Sequence, residues 1–187
     1  GGTDVLIPAG LNKVLIFIVL SPLIGLILSY FLMILTIIIF RKKSPRKVDS
    51  VFRGLQLVSS AIFSLGHGTN DAQKTMGIIA VLLFSTGRLG GEFHVPTWVI
   101  ISSYTAISLG TLAGGGKVIR TLGMSLTHLK PAHGFCAETA GAATIIMSSL
   151  GGIPVSTTHT ITGSIMGVGM TRRLSAVNWN IVGKIIL

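Results

Sequence analysis

The sequence predicts an all-α membrane protein. Three observations lead there: an uncharged run from Val14 to Phe40, a composition of 49% hydrophobic and only 11% charged residues, and a knot of basic side chains between apolar stretches. A soluble domain carries about a quarter charged residues, so this balance suits lipid better than water. The formal net charge of +10 would suggest nucleic acid as a partner of a soluble protein. Here Arg41, Lys42, Lys43, Arg46, Lys47 and Arg53 crowd into one segment with no stacking aromatics beside them. That argues against nucleic acid and makes residues 41–53 a cytoplasmic loop under the positive-inside rule.

The first element is a transmembrane helix over residues 14–40. At about 1.5 Å per residue it measures about 40 Å, more than the roughly 30 Å hydrocarbon core, so it tilts, with Pro22 as the place for a kink. The second apolar stretch, residues 51–84, is interrupted by Gly66-His67-Gly68-Thr69-Asn70-Asp71-Ala72-Gln73-Lys74. A discontinuous helix with an unwound centre accounts for it, because irregular backbone at membrane depth is tolerated where it is buried in protein or lines a wet cavity. Residues 85–96 form an outer loop, and residues 97–112 return across the membrane with Trp98 as an interfacial anchor. Gly114-Gly115-Gly116 ends that helix. Residues 117–130 then read as an interfacial amphipathic helix, with Val118, Leu122, Leu126 and Leu129 at helical spacing beside Lys117, Arg120 and Lys130.

Residues 134–150 and 156–170 are each marginal for a crossing and are joined by Gly151-Gly152-Ile153-Pro154-Val155. Lys130 precedes the pair and Arg172-Arg173 follows it, so both ends face the cytoplasm. A re-entrant hairpin over residues 134–170 satisfies this, and so do two short full crossings. The hairpin is preferred because Glu138, Thr157, Thr158 and His159 are poorly placed against lipid. A final helix, residues 178–187, starts near Trp179 and is cut off at Leu187. Together with the opening Gly1-Gly2-Thr3-Asp4, which has no signal-peptide order, this reads as a fragment. Gly110 to Gly114 and Gly163 to Gly167 both have GxxxG spacing, which marks a tight helix contact or arises by chance among 24 glycines.

Five residues are acidic. Asp4, Asp49 and Glu92 fall in loops, which leaves Asp71 and Glu138 at membrane depth, where an ionisable group is a functional candidate or half of a structural pair. Around Asp71, Asn70 and Thr69 can donate to an oxyanion, Gln73 can donate or accept, and Lys74 either neutralises an anion or pairs with Asp71. At the hairpin tip, Ser156-Thr157-Thr158 puts three hydroxyls where a half-helix begins, which suits a tetrahedral oxyanion and also suits an ordinary helix cap. His67, His128, His133 and His159 lack metal-ligand spacing and read as structural, and the lone Cys136 reads as a small buried hydrophobe, so no metal site is expected.

Three motifs carry a resemblance across essentially the whole chain. Gly68-Thr69-Asn70-Asp71-Ala72, Gly134-Phe135-Cys136-Ala137-Glu138 and Pro154-Val155-Ser156-Thr157-Thr158-His159, in this order, resemble the signatures of the inorganic phosphate transporter (PiT) family. That family is built from two inverted repeats, each contributing one Asn-Asp break and one Ser/Thr hairpin. The chain resembles the second half of a bacterial member, so the resemblance implies a missing N-terminal half and a multi-pass position in the bacterial plasma membrane; a homo-oligomer is a separate expectation, with the oligomeric state left open. It implies that Asn70, Asp71, Ser156, Thr157 and Thr158 face phosphate and a coupling cation, and that Glu138 helps hold the cation or the hairpin. One departure stands out: Gln73-Lys74 replaces the commoner Ala-Asn, which leaves the coupling ion open between H+ and Na+.

Phosphate beside Asp71 is unfavourable unless a cation or a shared proton lies between them, so the expected activity is cation-coupled symport of phosphate without an organic cofactor. Sulfate or another oxyanion is the rival cargo. An anion channel and an intramembrane hydrolase are the other rivals, the latter lacking a recognisable nucleophile and base pair.

Overall fold

The computed structural model describes residues 8–186, apart from the side chains of 8, 9, 117, 118, 125 and 186. Asp4, expected in a loop, lies outside the described residues. The described chain is helical: α1 (Pro8–Phe40), α2 (Pro45–Ser85), α3 (Thr97–Arg120), a π-turn (Thr121–Ser125), α4 (Pro131–Leu150), α5 (Thr157–Met170), a 3-10 turn (Leu174–Ala176) and α6 (Trp179–Ile186). Two of the helices, over Gly10–Phe40 and Thr97–Gly116, are long and apolar enough to cross a bilayer.

Proline marks the starts. Pro45 and Pro131 stand in the first turns of α2 and α4, where the missing N–H removes no helical bond, and the residues before them, Ser44 and Lys130, are extended. Glycine marks the stops. α2 ends in a Schellman turn at Gly87 (φ +73°), with Arg88 N donating to Leu83 O and Gly87 N to Phe84 O. α4 ends the same way at Gly152 (φ +66°), with Ile153 N donating to Ser148 O and Gly152 N to Ser149 O. The left-handed residue reverses the chain after α4, and four residues later Ser156 opens α5 by accepting from His159 N at 3.3 Å.

α4 and α5 therefore form a hairpin with its tip at residues 151–156, and each leg has its own neighbour: α5 packs chiefly on α1, α4 on α2. The α1–α5 contact is close because it is built from glycine. A Cβ on Gly163 would meet the Pro22 carbonyl, one on Gly167 the Leu26 carbonyl and the Ser29 hydroxyl, and one on Gly25 Ser164 Oγ at 2.7 Å. Of the two GxxxG spacings, then, Gly163/Gly167 is a helix crossing. A Cβ on Gly110 or Gly114 would meet nothing within 4 Å among the described residues. At the base, Phe40, Phe52 and Phe135 stack edge-on at 5.1 and 5.3 Å and tie the end of α1 to the starts of α2 and α4.

Both partner helices run parallel to the leg they support and overshoot the tip. Asp71 lies level with the tip, and α2 continues from there to Ser85, about 21 Å further. On the other side Pro22 lies against Gly163, and α1 extends 14 residues before it while α5 extends only six before Gly163, so α1 overshoots by about 12 Å. The overshooting segments are apolar on the outside: Ile78, Val81 and Leu82 of α2 and Leu11, Val14 and Leu15 of α1 are exposed.

Three sequence expectations are corrected. Residues 41–53, expected as a loop holding Asp49, are a turn only as far as Ser44, and Pro45 already starts α2. The break expected within residues 51–84 is absent, because α2 is continuous over all 41 residues. No proline falls between Arg46 and Ser85, and two glycines at about 1 kcal/mol each do not offset the packing of α2 on α4. His67, Asn70, Asp71 and Lys74 recur at three- and four-residue spacing, so an intact helix already delivers them to one face. Likewise Gly114-Gly115-Gly116 does not end α3, and residues 117–130 are not a separate helix. α3 runs to Arg120 and passes into the π-turn, after which Leu126 is buried with Leu122 and Leu129 against it. Burial of that leucine row against the core, not the glycine triplet, decides where the helix bends away.

Candidate functional site

The site grows from a single carboxylate. Asp71 sits on α2 where the hairpin tip crosses it, and both its oxygens are taken by donors. Lys74 Nζ donates to Oδ1 at 3.1 Å, and Asn70 Nδ2 approaches the same oxygen at 3.4 Å. His67 Nε2 lies 2.9 Å from Oδ2, and Thr157 Oγ1 donates to that oxygen at 3.2 Å. The first three come from α2's own turns above and below; only Thr157 crosses from α5.

A second junction holds the tip itself. The Val155 carbonyl, left without a helical partner by the extended stretch between α4 and α5, accepts from Asn70 Nδ2 at 3.0 Å and from Lys74 Nζ at 2.8 Å. Ser149 Oγ lies 3.5 Å from Asn70 Oδ1, at the outer limit of a hydrogen bond. Asn70 is buried, so its amide needs these partners. Lys74 and Asp71 are partly open, with 40% and 30% of their side chains accessible.

The expected site residues divide accordingly. Asn70, Asp71, Lys74 and Thr157 are brought into one cluster. Ser156 is half-buried and spends its hydroxyl on capping α5. Thr158 and Gln73 are exposed beside the cluster, and Thr69 is half-buried on α2. Glu138 is not in the cluster: it accepts from Ser59 Oγ at 2.6 Å and from Gln56 Nε2 at 3.5 Å, and Ser59 precedes Asp71 on α2 by about 18 Å of helix. There it bolts the base of α4 to α2, close to where a Cβ on Gly134 would collide with the Gln56 amide.

Sequence reasoning missed His67, taken as structural, and the Val155 carbonyl. His67 lies four residues before Asp71, a spacing that was there to be read; a backbone carbonyl leaves no mark in a sequence. Among the described residues no group of three His, Cys, Asp or Glu side chains has metal-binding geometry. Two grooves, of about 340 and 230 Å³, lie away from the Asp71 cluster, one at the α1–α2 corner and one between α2 and α4 beside Thr139.

Chemically the cluster presents a carboxylate ringed by donors, a lysine with a free side, and the first amides of α5. Helix N-termini attract anions through those amides and the helix dipole.

Residues 39–187 match the model of the phosphate transporter family. The chain is 56% identical over 178 residues to a probable low-affinity inorganic phosphate transporter of Rhizobium meliloti, covering 95% of this chain and 53% of that protein. It is 38% identical over 178 residues to one of Bacillus subtilis, covering 95% and 54%. A putative phosphate permease of Pyrococcus abyssi is 32% identical over 172 residues, 88% of this chain and 42% of that protein. Among solved structures, a sodium-dependent phosphate transporter superposes with a TM-score of 0.79 at 25% identity, over 94% of this chain and 61% of that one. The chain spans about half the length of the curated relatives it matches.

Proposed function

This chain belongs to the phosphate transporter family, and is thus part of a membrane protein; on that premise we propose that it is the second half of a multi-spanning bacterial plasma-membrane symporter that moves inorganic phosphate together with a cation, H+ or Na+. The relatives named phosphate transporters support the cargo, and their roughly double length supports a second half beside this one, which this reading places N-terminal and takes as an inverted repeat. The sodium-dependent neighbour supports a coupling cation.

The observation that carries the reading is the meeting of Asp71, Lys74 and Asn70 on α2 with Thr157 at the start of α5. Phosphate oxygens accept from the open side of Lys74, from the hydroxyls of Thr157 and Thr158 and from the first amides of α5. Phosphate at neutral pH still carries a proton. Its P–OH donates to Asp71 in place of the long Asn70 contact, whereas sulfate has no proton to give and meets only the carboxylate's repulsion. Asp71 therefore selects between the two oxyanions. Ser156 keeps the α5 terminus in place, while Thr69 and Gln73, each two residues from Asp71 on a continuous helix, flank the site from outside its face.

The hairpin in this reading is re-entrant. Its tip stops short of the ends of both α1 and α2, and a polar tip at that depth avoids lipid by facing the protein interior. With residues 41–53 in the cytoplasm, the legs start and end on that side. Glu138, distant from Asp71, anchors the moving hairpin at its base rather than ligating the cargo. Rocking of the paired hairpins of the two halves then opens the site to each face in turn.

The test is labelled-phosphate uptake into liposomes by the complete parent protein with sulfate as competitor. Saturable uptake that survives about a hundredfold excess of sulfate is expected, corresponding to at least about 2.8 kcal/mol of discrimination. Equal competition by sulfate would make the cargo a general oxyanion, and uptake proportional to concentration without saturation would mean a channel.

A further inference from the structure

A transported sodium ion needs several oxygen ligands, preferably a carboxylate together with backbone carbonyls and hydroxyls. The hairpin tip assembles that set on α2: Asp71 Oδ1, the Val155 carbonyl and, on the far side of the carboxylate, Thr157 Oγ1. What lies between Asp71 Oδ1 and the Val155 carbonyl is the ammonium of Lys74, 3.1 Å from one and 2.8 Å from the other.

We propose that Lys74 is a tethered cation that takes the place of a sodium ion between α2 and the hairpin tip, so that this half of the transporter binds no sodium ion of its own. The inference rests on the transporter reading above and names the coupling chemistry of the same site.

Three observations carry it. First, the contacts are those of a cation bridge: one ammonium joins a carboxylate of α2 to a carbonyl of the hairpin, the two bodies that a coupling ion must join. Second, the carboxylate is saturated. A carboxylate has about four acceptor positions, and Lys74, Asn70, His67 and Thr157 are four donors on Asp71. A sodium ion entering here would have to displace donors and sit against a positive charge it cannot expel, since Lys74 is covalently held one turn from Asp71. Third, the Lys74 side chain is 40% accessible, and an ammonium with two of its three donors used on Asp71 and Val155 keeps one for an anion. A sodium ion bound between the same oxygens would balance the charge of Asp71 only while it is present, whereas the tethered ammonium balances part of it at all times, so that anion binding at this half-site does not wait for sodium.

The test reads sodium binding without phosphate. The purified complete parent protein is unfolded thermally in NaCl and in choline chloride at equal ionic strength, for wild type, Lys74→Gln, Lys74→Ala and Lys74→Arg. Removing the charge is expected to create a sodium-specific rise in Tm, larger than any wild-type response by about 3 °C or more. The excess disappears when Asp71→Asn is added to Lys74→Gln, and Lys74→Arg behaves as wild type. Lys74→Gln nearly preserves the side-chain volume and supplies the answer where Lys74→Ala does not fold. The same sodium response in wild type and both neutral variants overturns the proposal, as does an excess that survives Asp71→Asn. Because no phosphate enters the measurement, a sodium response with no phosphate uptake by the wild type would refute the cargo and leave the tethered cation standing.

Discussion

Replacing Asp71 with asparagine is expected to lower phosphate uptake by the complete parent protein about a hundredfold or more while leaving the fold intact. Asparagine keeps the shape and one acceptor oxygen, so Thr157 or His67 retains a partner. What is lost is charge. Lys74 is then paired only to the Val155 carbonyl, and its positive charge at the tip is no longer balanced. The pair is 40% and 30% accessible, so solvent screens much of the cost to stability, and the loss falls chiefly on uptake. Uptake and thermal unfolding measured on the same preparation separate the two effects: a large loss of uptake with Tm shifted by only a few degrees is the expected outcome. Uptake at the wild-type rate would remove Asp71 from the mechanism.

The second large effect concerns the fold that holds the site. Gly163→Leu is expected to abolish recovery of folded parent protein, and Gly163→Ala to lower its Tm. The Cβ that either substitution adds meets the Pro22 carbonyl, a backbone atom in a helix that packs along the whole of α5. A flexible side chain would yield; a helix backbone has to move as a body. Overpacking of this kind costs about 1–3 kcal/mol for one methyl group and more for a branched side chain. α5 would be pushed from α1, and with it Thr157, the residue that brings α5 onto Asp71. Size-exclusion chromatography of the detergent-extracted protein reads this as loss of the monodisperse peak. A normal peak and unchanged Tm for Gly163→Leu would mean that α1 and α5 do not cross at this glycine.

Much of the local chemistry was legible in the sequence because it depends on neighbours in the chain. Gly151-Gly152 followed by Pro154 signals a stop and a turn, and α4 does end in the Schellman geometry of Gly152. The helical spacing of Leu122, Leu126 and Leu129 marked an apolar row, but one read as lying on the membrane surface, whereas it packs into the core. The same local reasoning failed where distant packing overrules it. Gly66 and Gly68 looked like a break, yet α2 stays helical there because it packs on α4, with Gly66 against Ile146. Gly114-Gly115-Gly116 looked like a terminus and is helix interior. The site shows the same division. Asn70, Asp71 and Lys74 share a helix face by spacing alone, but their partners Val155 and Thr157 follow more than 80 residues later. That register is set by glycine contacts between α1 and α5 and by Glu138 reaching Ser59, neither of which a motif displays. Glu138 and Asp71 were similar candidates on paper, two carboxylates in apolar stretches; the parallel packing of α4 on α2 separates them.

The central claim is that phosphate binds where the α4–α5 tip meets Asp71, and Thr158 offers the most direct access to it. Thr158 is exposed beside the cluster, and Cys136 is fully buried. The decisive measurement is the labelling rate of Thr158→Cys by a membrane-impermeant thiol reagent, in the complete parent protein freed of other reactive cysteines, with and without phosphate. The account predicts that phosphate slows labelling about tenfold in saturable fashion, that equal sulfate does not, and that Asp71→Asn removes the protection. Labelling unaffected by phosphate, or protected equally by sulfate, would contradict it.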